Sequence, residues 1–134
     1  MYKLLLTILV TLSLSVQADT HKQCHTTRVI DGDTIDSTCG RIRLTKIDSY
    51  ESKRNNRAYK QAYYNKVTVE DIVKLGKQAT IITTNELADK DFELVVGSPS
   101  IDKYGRTLGE IFINGESINE KLLKEHSDIF VPYQ

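Results

Sequence analysis

The apolar positions of this 134-residue chain change period twice. Between residues 24 and 48, aliphatic and β-branched residues come in short runs broken at Asp31-Gly32 and at Gly40, which predicts three antiparallel strands at about 24–30, 33–38 and 41–48. Asp-Gly suits a two-residue type I′ turn, whose central residues both need positive φ, so Asp33 is expected on the first residue of the returning strand. From residue 55 the pattern becomes helical. Asn55 to Asn65 carries Ala58, Gln61 and Ala62 as good helix formers, and Tyr59, Tyr63 and Tyr64 at helical spacing read as packing residues. Thr68-Val69-Glu70-Asp71 has capping-box spacing, with Asp at the fourth place, and opens a second helix through Ile72, Val73 and Leu75. Gly76 counts against that helix, and Thr80 to Thr84 fits either a strand or a helix end. Strands return at Asp91 to Val96 and Thr107 to Ile113, followed by an Asn114-Gly115 turn and a short helix from Glu116 to Glu125. Five strands in a 3+2 pattern with helices between them predict a small closed barrel with helical decoration.

The length allows one domain. Lys3, the apolar run from Leu4 to Val16 and the small-residue site Val16-Gln17-Ala18 read as a signal peptide over residues 1–18, ahead of a domain over 19–134. The run is short for a spanning helix, so an exported protein, periplasmic or extracellular, with no membrane contact in its mature form is expected. Export bears on Cys24 and Cys39. Counting outward from an Asp31-Gly32 turn, the two fall opposite each other, which predicts a disulfide; the alternative is two free buried thiols.

Formal charge balances, with 18 Lys or Arg against 18 Asp or Glu, which argues against a non-specific nucleic-acid binder. The distribution does not balance. Residues 41–66 hold eight basic residues against Asp48 and Glu51, an excess of six, while the acids collect beyond Glu86. Such asymmetry steers a polyanion toward one face, unless it is only a solvated basic helix surface. Asp33, Asp48 and Glu51, with Arg43, cluster at strand ends, where unpaired charge is costly to bury. Hard-cation chemistry on a charged substrate accounts for them better than a core does. Arg43 and Asp48, five apart, face opposite sides of a regular strand, so a bulge or strand end must re-aim one of them. His21, His25 and His126 form no cluster with zinc-ligand spacing.

Three blocks, Ile30-Asp31-Gly32-Asp33-Thr34, Arg43 through Glu51, and Asp102-Lys103-Tyr104-Gly105-Arg106, stand in this order ahead of Ile118-Asn119-Glu120. Together they make residues 29–125 resemble the staphylococcal nuclease family. The resemblance implies a five-stranded oligonucleotide-binding (OB-fold) β-barrel with helices, an α+β fold, and calcium-dependent hydrolysis of phosphodiester bonds in DNA and RNA that leaves 3′-phosphates. It implies that Asp33, Asp48 and the Ser49 carbonyl hold calcium and that Glu51 orients or deprotonates the attacking water. Arg43 and Arg106 grip the scissile phosphate, Lys103 and Tyr104 touch the nucleotide's other phosphate, and a monomer is expected. The residues suit that chemistry: a dication neutralises the phosphodiester, and planar arginine forks match its equatorial oxygens. The chain departs from the pattern at Ser49-Tyr50, where the family has Thr-Pro, and at His126, where it has Gly. Tyr133 stands in the region of the family's nucleotide-stacking tyrosine. A non-catalytic OB-fold module that binds nucleic acid or protein is the alternative.

Overall fold

The computed structural model describes residues 20–133, so the signal peptide expected over 1–18 lies outside the described residues. The elements in order are β1 (His21–Asp31), β2 (Thr34–Ser37), β3 (Gly40–Leu44), β4 (Ile47–Ser49), α1 (Asn56–Asn65), α2 (Val69–Leu87), β5 (Asp91–Ile101), β6 (Thr107–Ile113), β7 (Glu116–Ser117), α3 (Ile118–Glu125) and β8 (Phe130–Pro132). Six strands form one sheet in the order β3-β2-β1-β5-β6-β7, and β4 and β8 form a separate two-stranded sheet. The five-stranded OB-fold barrel is thereby corrected to an α+β arrangement of two sheets. The correction has a local cause. The run expected as one strand over 41–48 breaks at Lys46, whose φ is 70°, and β4 leaves the main sheet to pair with β8 through Asp48 and Val131. At the other end, β7 adds a sixth strand to β6. A short parallel pairing of β3 with β6, Arg43 opposite Leu108, brings the two arginine-bearing segments side by side.

The first hairpin also turns one residue later than expected. Asp31 pairs with Thr34, so Gly32 and Asp33 are the turn, and neither has positive φ. Two register shifts in β1 then move the pairing stepwise until Thr26 faces Ser37. That is the register an Asp31-Gly32 turn gives, and Cys24 and Cys39 do form a disulfide, with Cα atoms 5.6 Å apart. Gly32 is required for room rather than for conformation. A Cβ there would lie 2.6 Å from the Ala79 Cβ and 2.9 Å from the Ser49 Cβ, so α2 and β4 press directly on the turn.

The core lies between the main sheet and the helices. Ile35, Ile42 and Leu44 from the first strands meet Leu94, Ile111, Leu122 and Phe130, all fully buried; each such aliphatic side chain contributes roughly 1.5–3 kcal/mol by leaving water. The capping box at Thr68 and Asp71 opens α2, which runs unbroken through Gly76 and through Thr80 to Thr84. Buried Asn119 ties α3 to the sheet: its Oδ1 accepts from the Ile111 amide at 3.0 Å, and its Nδ2 donates to the Thr45 and Gly109 carbonyls at 2.8 and 3.1 Å. Helix α1 packs on α2 through Ala58 and Ala62 in a second small cluster with Ile72. Among the described residues no helix is long and apolar enough to cross a membrane.

Candidate functional site

The break at Lys46 re-aims Asp48 toward Arg43. Arg43 is 7% exposed; its Nη1 donates to the Leu44 carbonyl and, at 2.9 Å, to the Ile47 carbonyl, which fixes the chain on both sides of the bend. Its Nη2 donates to Asp48 Oδ1 at 3.1 Å and lies 3.3 Å from Asp33 Oδ2. Three guanidinium N–H groups are thus hydrogen-bonded and Nη2 also faces Asp33 as an ion pair, which leaves Nε–H without a hydrogen-bond partner among the described residues.

Asp33 is 5% exposed at the hairpin turn. Its Oδ2 accepts from the Ser49 amide and hydroxyl, each at 3.2 Å, and its Oδ1 accepts from the Thr34 hydroxyl at 2.9 Å. Burial is the main force holding its carboxyl above the usual range; the neighbouring Asp31 charge adds to it and Arg43 opposes it. Asp48 is pushed up as well, by burial first and then by its contact with Asp33, against Arg57 and Arg43. Burial thus makes both carboxylates harder to ionise than in water, and Arg43 and Arg57 supply the positive charge that opposes it.

Among the described residues, however, no group of three or more His, Cys, Asp or Glu side chains is arranged to hold a metal ion. The expectation of a ready-made metal-binding centre is therefore corrected. The structure uses the Ser49 amide and hydroxyl as donors to Asp33, and arginine already sits on Asp48: Arg57 Nη2 donates to both of its oxygens at 3.1 and 2.9 Å.

Glu51 follows β4 and is held almost wholly by α1. Arg57 Nη1 donates to its Oε1 at 2.9 Å, and Asn55, the helix N-cap, donates to Oε2 at 2.8 Å. Its amide donates to Gln61 Oε1 at 3.0 Å. From the other side α2 presents Gly76, where a Cβ would lie 2.3 Å from the Glu51 carbonyl oxygen. The glycine that counted against a helix is thus the place where the helix must be bare for Glu51 to seat.

Arg106 is positioned by Asp102, which accepts from its amide at 3.0 Å and from its Nε at 2.7 Å, leaving Nη1 to point at the Thr34 hydroxyl 3.4 Å away. Although burial works against it, Asp102 stays below the usual carboxylate range because the Arg106 amide and guanidinium and the Tyr104 amide all donate to it. Arg43, Glu51, Arg106, Asp33 and Ser49 line one cavity of about 120 Å³. Lys103 and Tyr104 lie outside it, in a larger cavity of about 420 Å³ that Arg43, Arg57 and Arg106 also border. There the Tyr104 ring has the Arg106 guanidinium 5.3 Å and the Lys103 ammonium 5.1 Å from its centroid, and the Tyr133 ring lies 5.4 Å from the Arg43 guanidinium. Sequence reasoning missed Asn55, Arg57, Gln61, Gly76 and Asp102. Arg57, counted within the basic run, and Asp102, which opens the third motif block, carried a signal there, though neither was assigned a role.

A model of the family described as "Staphylococcal nuclease homologue" matches residues 41–126. The thermonucleases of Staphylococcus hyicus and Staphylococcus intermedius are 33% and 35% identical to the chain over 102 residues, covering 73% of this chain and 53% of theirs. An uncharacterised protein of Methanocaldococcus jannaschii is 33% identical over 121 residues, covering 79% of this chain and 58% of its own length. The chain thus spans little more than half the length of these curated relatives.

Proposed function

The chain belongs to the staphylococcal nuclease family, and from that premise we propose that it is a calcium-dependent phosphodiesterase that cleaves DNA and RNA and leaves 3′-phosphate ends. The observation that carries this reading is the convergence of Arg43, Arg106 and Glu51 on one small cavity beside Asp33. A scissile phosphodiester is an anion that gathers further charge on its equatorial oxygens in the transition state. Arg106, braced by Asp102, offers its outer N–H groups to those oxygens, and Arg43 offers Nε–H from a guanidinium otherwise locked in place. Because both donors are held before substrate arrives, little reorganisation is needed at the moment of reaction. Glu51, steadied at both oxygens by α1, orients the attacking water and accepts its proton. Asp33 and Asp48 are the carboxylates that would hold calcium, whose chemistry when bound is to neutralise the phosphodiester and make the water more acidic. Lys103 and Tyr104 extend the site toward a neighbouring phosphate. Export by way of residues 1–18 and action as a monomer belong to the same proposal.

One observation favours a second reading. Arg57 occupies Asp48 and Glu51 together, as suits a domain that binds polynucleotide and cleaves it poorly. Incubating the purified protein with plasmid DNA and with RNA, in calcium, magnesium or EDTA, separates the two. Calcium-supported cleavage, abolished by EDTA and giving ends sensitive to a 3′-phosphatase, is the expected result. Binding without cleavage in any cation favours the second reading, and full activity in EDTA refutes the calcium assignment.

A further inference from the structure

Helix α1 leaves its aromatic residues in water. Tyr59, Tyr63 and Tyr64 are 54%, 80% and 78% exposed, because the helix meets α2 through the small side chains of Ala58 and Ala62. The packing role expected for these rings is therefore corrected. Tyr63 and Tyr64 touch each other edge to face with centroids 5.5 Å apart, an arrangement that leaves ring faces uncovered. Leaving such rings in solvent forgoes their burial energy, and an uncovered aromatic patch commonly marks a binding surface.

Along α1 and the residues leading into it the charge has one sign. Residues 53–66 contain five Lys or Arg and no Asp or Glu. Arg54 pairs with Glu70, and Arg57 with Asp48 and Glu51. Lys53, Lys60 and Lys66 have no carboxylate partner among the described residues. Beside this face runs a groove of about 640 Å³ between α1 and β8, lined by Tyr50, Lys60, Tyr64 and others, with Asp48 its one carboxylate among the described residues, paired with Arg57. Arg57 and Tyr133 border both this groove and the cavity that holds Lys103, Tyr104 and Arg106, so the groove continues the site.

We propose that the α1–β8 groove binds the continuation of a single-stranded polynucleotide whose cleaved bond lies in the adjoining cavity, with a base stacked on Tyr64 and a phosphate on Lys60. Uncovered rings beside uncommitted lysines are the pairing that single strands require, since each nucleotide presents an open base face and a negative charge. A duplex hides its base faces and gains nothing from Tyr64. A folded protein partner large enough to cover the groove does not require a strand leading into the neighbouring cavity. The inference rests on the nuclease reading for the placement of the cleaved bond, but binding along the groove is measurable without cleavage.

The test is fluorescence anisotropy in EDTA with labelled oligothymidylates of three and ten nucleotides, and with a ten-base-pair duplex. The full chain should bind the ten-mer roughly tenfold or more tighter than the three-mer and prefer it to the duplex. Tyr64→Ala should weaken ten-mer binding about fivefold or more, the scale of one lost base stack, while leaving three-mer binding unchanged; Tyr64→Phe should restore it. Lys60→Ala should reduce the slope of log affinity against log salt by about 0.7, one phosphate contact on a single strand. Both residues are exposed, so folding is expected to survive, and circular dichroism checks that it does. Ten-mer binding indifferent to Tyr64→Ala and Lys60→Ala overturns the proposal, as does equal affinity for the duplex. If calcium supports no cleavage but the Tyr64 dependence holds, the nuclease reading fails and the groove stands. If cleavage occurs without that dependence, the groove alone fails.

Discussion

Replacing Gly76 with alanine should improve helix α2 as a helix and damage the site it supports. On propensity alone, alanine in a helix interior is favoured over glycine by roughly 0.5–1 kcal/mol. At this position the added Cβ would sit 2.3 Å from the Glu51 carbonyl oxygen, 2.4 Å from the Glu51 carbonyl carbon and 2.6 Å from the Ser52 amide nitrogen. All three are backbone atoms, so no side chain can swing aside to relieve the contact. Ordinary contact begins near 3.4 Å, and the segment carrying Glu51 must retreat by about 1 Å to reach it. Overpacking of this kind costs about 1–3 kcal/mol, enough to cancel or exceed the propensity gain. The larger effect falls on rate: a displacement of about 1 Å at a reacting group can cost on the order of 10²-fold. The assay is kcat/KM on a fluorogenic oligonucleotide in calcium, with the melting temperature measured beside it. Lys77→Gly on the exposed side of the same helix is the control, losing helix propensity without touching Glu51, so its melting temperature should fall while its rate holds. A Gly76→Ala protein that melts higher than wild type and cleaves at the wild-type rate would refute the positioning argument.

Five further outcomes follow from other contacts. Arg106→Ala should lower turnover by about 10²-fold or more with little change in melting temperature, as for a lost transition-state donor. Arg43→Ala should lower turnover and also cost about 3–5 kcal/mol in urea unfolding, because it strips the cation from buried Asp33; equal stability of the two variants contradicts this division. Asn119→Ala leaves the Ile111 amide and two carbonyls without their partner and should cost about 2–4 kcal/mol, and Asn119→Asp should cost at least as much near neutral pH, because a fully buried carboxylate would face the same two carbonyl oxygens. Reduction of the Cys24–Cys39 bridge, which closes a loop of sequence separation 15, should destabilise the fold by roughly 3 kcal/mol on chain-entropy grounds; an unchanged melting temperature in reductant counts against that. Protonated His25 donates from Nδ1 to Asp91 and from Nε2 to Asp89, which hold its pKa above 6.5. Its contribution is therefore full below about pH 6.5 and fades as pH rises through the folded value. Melting curves of His25→Gln should lie below wild type at pH 5.5 and converge with it in alkali, and a gap that widens with pH reverses the sign.

Much of this molecule is determined by local sequence. The capping box at Thr68, the strands around Ile35 and Leu94, and the block from Asp102 to Arg106 each announce themselves within a few residues, because propensity, period and turn chemistry act at short range. The disulfide was legible for a partly accidental reason: the turn lies one residue beyond the expected place, and two shifts in β1 bring Cys24 back opposite Cys39. What only the tertiary structure decided are the contacts between segments far apart in the chain. The positive φ at Lys46 turns one expected strand into two, brings Asp48 to Arg43, and sends β4 to β8 rather than into the main sheet. Period-2 alternation gives no sign of such a bend, since it reports which face is buried and not which strand lies alongside. Gly32 and Gly76 looked like a turn former and a helix flaw; at each of them another backbone or β-carbon comes too near for a side chain. The tyrosines of α1 have helical spacing whether they face a core or water, and it is the small residues Ala58 and Ala62, meeting α2, that turn them outward. Spacing fixes which residues share a face of a helix, and only the packing of that helix against its neighbours decides where the face points.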